Sequence, residues 1–181
     1  DRGDVEVAAV LLNDEIGPNA LSRLERDLLT QTGAEYAIVL EGINDIGFPL
    51  TGPEFLPDTV SFAEVSAEEI IAGYQQMIRQ AHAAGITIFG ATLTPIGGST
   101  FESELTESKR QAVNAWIRSG AGFDGFIDFD AATRDPAAPA QLAAAYDSGD
   151  HVHPNDAGYA AMGEAVDLAL FRRHAQRASC E

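Results

Sequence analysis

Two short segments carry residue types that can do chemistry on a substrate. The first is Asp150-His151-Val152-His153-Pro154-Asn155. A carboxylate three residues before a histidine on a turn can accept the imidazole Nδ1–H, which fixes the tautomer and leaves Nε2 free as a general base. Two other uses of the same residues stay open. His151 and His153, alternating across an extended segment, form a metal pair with Asp150 in one of them, although no third clustered ligand is evident. In the other they merely cap the next helix, and a cap at Asn155 is compatible with either use. The second segment is Gly42-Ile43-Asn44-Asp45, which directly follows an apolar run. An Asn side chain at such a strand end can donate an N–H to a developing oxyanion. Gly-x-Asn-Asp is equally ordinary turn chemistry.

The elements that position these segments follow from hydrophobic period. Val5 to Leu12, Tyr36 to Leu40, Ile86 to Ala91 and Phe126 to Phe129 are short apolar runs of the kind that form buried strands. Helix-period segments fill the gaps. Leu21, Leu24 and Leu28 recur from Pro18 to about Gln31, with Pro18 suited to a first turn. Ser66 and Glu69 form a capping-box pattern ahead of the stripe Ile70, Tyr74, Met77, Ile78 and Ala81, and Gly85 suits the exit. Val113, Trp116 and Ile117 mark the inner side of a helix from about Glu107 to Arg118, and Tyr159, Met162, Val166 and Leu170 that of a last helix after Asn155. Strands alternating with helices predict an α/β fold, a mainly parallel sheet covered on both faces. Three segments without period remain: Gly42 to Val65, Thr92 to Thr106 and Asp130 to Pro154. Each follows a predicted strand, so all three gather as loops at the carboxyl edge, where open α/β sheets bind ligands.

With 181 residues, 45% of them hydrophobic, the chain is expected to form one domain, residues 1–181. Eleven basic against 28 acidic residues, a net charge of −17, argue against nucleic acid and anionic lipid as partners. No apolar run is long enough for a membrane span, and Asp1-Arg2-Gly3-Asp4 is too charged for a signal peptide. Secreted and cytoplasmic locations both remain open. The lone Cys180 forms no internal disulfide, and nothing in the sequence calls for a cofactor or a metal. Because the sequence starts without Met, a segment removed upstream is expected.

Taken together, these residues resemble the SGNH (GDSL-like) hydrolase family over residues 17 to about 171. The matching stretches are Gly17-Pro18-Asn19-Ala20-Leu21, Ile38 to Gly47, Thr92-Leu93-Thr94-Pro95, and Asp150 to Tyr159. The resemblance implies a three-layer αβα sandwich with a flavodoxin-like sheet, and hydrolysis of small acyl or acetyl esters by a Ser-His-Asp triad. It makes His153 the general base, Asp150 its orienting acid and Asn44 an oxyanion donor. Gly42, Thr94 and Pro95 would line the oxyanion and substrate pocket. Glu41 and Asp45, flanking the oxyanion residues, are expected to hydrogen-bond loop backbone.

The family's Gly-Asp-Ser nucleophile block occurs nowhere in the chain, and Val7 to Asp14, where a Gly-rich stretch ending in Gly-Asn belongs, holds no glycine. None of the nine serines (Ser22, Ser61, Ser66, Ser99, Ser103, Ser108, Ser119, Ser148, Ser179) sits in a strand-to-helix elbow. The family's first strand, which would lie mid-sheet, is therefore expected to be lost upstream, or replaced by Val5 to Leu12 or by a second chain in a homodimer. Two functions follow: an esterase whose nucleophile lies outside the recognisable segments, or a remnant that binds without turnover.

Overall fold

The computed structural model describes residues 11–12, 18–51, 62–120 and 122–171. Three short strands, β1 (Tyr36–Val39), β2 (Thr87–Ala91) and β3 (Gly125–Ile127), pair in parallel in the order β1-β2-β3. Tyr36 is level with Thr87, and Phe89 with Gly125. Alternation along the strands sends successive side chains to opposite faces. Val39 and Ile88 point into a core built with Ile70, Tyr74, Met77, Val113 and Ile117. These come from helices α3 (Ala67–Ala83) and α4 (Glu104–Arg118). Ala91 and Ile127, level with each other, pack on the opposite face against Phe129 and Met162. Those two belong to α5 (Phe129–Thr133) and α6 (Asp156–Glu164). The result is a three-layer αβα arrangement.

Local signals set several boundaries. Ser66 and Glu69 exchange both capping-box bonds at the start of α3, and all five stripe residues of that helix are buried. Gly85, at φ +74°, makes the exit that an L side chain resists. The helix read from Pro18 instead starts as α1 (Ala20–Leu24), because the Asn19 side chain accepts the Ser22 N–H at 2.8 Å and takes the cap; it continues as a π-helical turn, Glu25–Leu29. Ser103 caps α4, so that helix begins at Glu104 rather than Glu107.

The segments Gly42 to Val65 and Asp130 to Pro154 are not wholly loop. The first opens with helix α2 (Ile43–Thr51), despite Pro49 inside it, and α5 carries the second to Thr133. Phe129 begins α5 rather than ending a strand. In α6 Met162 is buried as expected, whereas Tyr159 is 49% exposed and faces away from the core. Of the run Val5 to Leu12, only Leu11 and Leu12 are described; Val5 to Val10, and the turn at Asn13 and Asp14, lie outside the described residues. Leu11 is fully buried in the core under α3. Among the described residues no helix is long and apolar enough to cross a membrane.

Candidate active site

The parallel strands end on one edge, and the residues singled out above follow those ends. Gly42 comes three residues after β1, at φ +104°; a Cβ there would stand 3.1 Å from the Tyr74 Oη and 3.3 Å from Ile70 Cγ2, so the turn into α2 admits only glycine. Asn44 is the second residue of α2, half-buried. Asp45 beside it is fully buried, and its two oxygens accept the Leu11 and Leu12 N–H groups at 2.7 and 3.0 Å. It thus bonds backbone as expected. Glu41 does otherwise: its carboxylate accepts from the Arg23 guanidinium at 3.0 Å, while its backbone carbonyl accepts the Tyr74 hydroxyl. Burial pushes the Glu41 carboxyl up to about 7, against the pull of Arg23 and with the Asp45 charge adding to the rise.

Thr94 and Pro95 follow β2 and are buried. Their loop is pinned at its start by two buried side chains. Asn114 bonds both the N–H and the carbonyl of Leu93, at 2.7 and 2.8 Å, and Arg110 donates to that carbonyl at 3.0 Å. Arg110 also donates to Asp130 at 2.6 Å, which ties α4 to α5.

Asp150 and His153 lie in the turn before α6. The His153 Nδ1 is 2.6 Å from Asp150 Oδ2. The other carboxylate oxygen accepts the N–H groups of His153 and Val152, at 2.8 and 2.9 Å, and the Ser148 hydroxyl at 3.1 Å. Partial burial works against ionisation of Asp150, yet the His153 N–H, its imidazole and the Val152 N–H together hold the carboxyl well below the usual carboxylate range. The His153 side chain is 69% exposed, so Nε2 is its uncommitted nitrogen and is open to an incoming group. Asn155 caps α6 by accepting the Gly158 N–H at 3.0 Å, and its own amide donates to the carbonyls of Ala145 and Asp147, each at 3.1 Å.

One apolar cluster links the two segments. Phe48, Phe62, Ile96 and Phe101 form it, with Ile43 and Val152 packed against it. Ile43 precedes Asn44 and Val152 precedes His153, so the start of α2 and the Asp150–His153 turn are anchored to the same cluster. A shallow depression lined by Ser148, Pro154, Asn155, Asp156 and Ala157 runs along the turn. A groove lined by Arg23, Ile38, Leu40 and Glu41 follows β1 instead and shares no residue with it.

Sequence reasoning missed Asp147, which holds His151 as Asp150 holds His153. The spacing of four residues in Asp147-x-x-x-His151 was its only trace. His151 and His153 therefore answer to different carboxylates rather than converging with Asp150, and among the described residues no group of three or more His, Cys, Asp or Glu side chains is arranged to hold a metal. Ser148 is tied to the carboxylate side of the pair, away from Nε2. Ser22, Ser99 and Ser119 donate to backbone carbonyls, and Ser66 and Ser103 cap helices. Among the described residues no serine hydroxyl is bonded to the His153 ring.

Solved structures share the fold. A Bacteroides fragilis protein named as an acylhydrolase superposes with a TM-score of 0.64 at 19% identity, over 85% of this chain and 69% of that one. A GDSL-like lipase from Bacteroides thetaiotaomicron gives 0.63 at 19%, over 84% and 69%. A catalytic mutant of an acetylxylan esterase from Geobacillus stearothermophilus gives 0.56 at 23%, over 86% and 65%. No curated protein sequence matches the chain. The family model does what such distant identities do not: with residues 5–161 matched, the chain belongs to the GDSL-like lipase/acylhydrolase family.

Proposed function

We propose that the chain carries the base and oxyanion side of an ester-hydrolysing site acting on small acyl or acetyl esters. Asp150 orients, His153 accepts the proton, the Asn44 amide and the Gly42 N–H receive the oxyanion, and Thr94 and Pro95 shape the pocket. The observation that carries this reading is the His153–Asp150 pair, Nδ1 to Oδ2 at 2.6 Å, with Nε2 uncommitted on a ring 69% exposed. A carboxylate on Nδ1 fixes the tautomer a base needs and stabilises the imidazolium it becomes. In the reaction a hydroxyl, supplied from outside the described residues or by another chain, adds its oxygen to the ester carbonyl and passes its proton to Nε2. The carbonyl oxygen takes the negative charge under the Asn44 and Gly42 donors. Collapse expels the alcohol, which takes the proton back from Nε2, and water then repeats the sequence on the acyl intermediate.

A second reading, a binding domain without turnover, is favoured by the serines: those at 22, 66, 99, 103, 119 and 148 have hydroxyls engaged elsewhere. Hydrolysis of p-nitrophenyl acetate by the purified chain and by its His153→Ala variant separates the two. Turnover that the substitution abolishes supports the esterase, and equal rates remove His153 from the chemistry. A fluorophosphonate probe, mapped by mass spectrometry, then locates the nucleophile.

A further inference from the structure

His151 plays no part in the chemistry above, yet it is held as firmly as the proposed base. Its Nδ1 is bonded to the Asp147 carboxylate, and its own N–H donates to the other oxygen of that carboxylate at 3.1 Å. The Gly149 N–H shares that oxygen at 2.8 Å, and the Asp147 side chain is only 12% exposed. The ring lies on Gly98, in the loop that carries Thr94 and Pro95; a Cβ at that glycine would come within 3.3 Å of the His151 Cγ. His151 is also the one non-glycine residue with a positive φ among the described residues, at +64°. A bulky side chain there is strained, and such strain persists only where the surroundings over-determine it.

The consequence is an imidazole with one nitrogen committed and one available. Because a carboxylate takes the Nδ1–H, the neutral ring presents Nε2 as an acceptor, and the group that satisfies it is a hydroxyl donor. Its place follows from the chain. Two residues span at most about 7 Å, so the Cα atoms of His151 and His153 are no farther apart than that along the same turn. On the esterase reading the leaving alcohol takes its proton from His153, and the neighbouring imidazole in that turn is His151, seated on the loop that carries Thr94 and Pro95.

We infer that His151 is a positioning residue that accepts a hydrogen bond from a hydroxyl of the ester's alcohol moiety, which makes the preferred substrate an acylated sugar or polyol. This rests on His153 being the base. His151→Gly removes the ring at a backbone position that glycine occupies without strain. The test compares the wild-type chain and this variant on the monoacetate of methyl β-glucopyranoside and on p-nitrophenyl acetate, whose alcohol has no hydroxyl to spare. The ratio of kcat/KM for the sugar ester over the aryl ester is expected to fall about tenfold, mostly through KM, as for one lost hydrogen bond. Equal losses on both esters, which leave the ratio unchanged, would mean that His151 only braces the turn, and unchanged rates on both would mean that it touches no substrate; either overturns the inference. A second readout needs no turnover. Unacylated methyl β-glucopyranoside is expected to shift the His151 ring signals in NMR titrations of the wild-type chain, and absence of that shift sinks the inference. Absence of His153-dependent hydrolysis, with the shift present, sinks the base reading alone.

Discussion

The Nδ1 atom of His153 stands 2.6 Å from Oδ2 of Asp150, while the His153 N–H donates to the other oxygen of the same carboxylate at 2.8 Å. One side chain thus holds both the ring and the backbone of its partner. Asp150→Asn keeps the shape but removes the charge and favours the wrong tautomer, so kcat for ester hydrolysis is expected to fall by about three to four orders of magnitude. Circular dichroism should show the fold retained. A loss below tenfold would take Asp150 out of the orienting role.

The pH dependence of the turn follows the Asp150 carboxyl. The folded Asp150 carboxyl lies below its ordinary value, so its contribution to the turn is complete above about pH 4 and is lost only as pH falls further. Amide exchange at Val152 and His153, corrected for the intrinsic rate, is expected to show equal protection at about pH 5 and pH 7. Protection that weakens between them would place the titration of Asp150 there.

Asn44→Ala removes one proposed oxyanion donor from the first turn of α2. The expected effect is on the order of a hundredfold in kcat with KM little changed, because the donor acts on charge that exists only in the transition state. A change confined to KM would make Asn44 a ground-state binding residue.

Gly47, one turn after Asn44, has no room for a side chain: a Cβ there would meet the Phe101 ring at 2.2 to 2.5 Å. Gly47→Ala must push α2 off the cluster it shares with Val152, and is expected to cost about 1–3 kcal/mol in urea unfolding. Wild-type stability in the variant would show that α2 does not rest on that ring.

Glu41 carries the opposite pH signature to Asp150. Its folded value is raised to about 7, so its contribution to stability is fully present below the ordinary carboxyl value and is lost as pH rises through 7. Relative to Glu41→Gln, the wild-type chain should lose on the order of 1–3 kcal/mol between about pH 4.5 and pH 8, read from melting curves of the two proteins. A pH-independent difference would mean that Arg23 keeps Glu41 ionised throughout.

What the sequence determined by itself was local. The Ser66–Glu69 capping box, the stripe of α3 and the cap at Asn155 involve residues three or four apart, and each was readable because near neighbours satisfy it. The three strands were readable as apolar runs, with no end moved by more than two residues. The Asp150-x-x-His153 spacing carried the hydrogen bond within itself. Tertiary structure decided the rest. Ile43–Thr51, with Gly47 and Pro49 inside, has poor intrinsic helix propensity, and Phe48 anchors it on Phe62 and Phe101, residues distant in sequence. Tyr159 shares its helix with Met162, but only Met162 meets the sheet face of Ala91 and Ile127. The bond from Asp147 to His151 closes across a positive φ that no residue pattern announces, and the ring's seat on Gly98 comes from a loop some fifty residues away. Short-range hydrogen bonds can be read along a chain; which side chains stand on one another depends on where the strands and helices bring distant segments together.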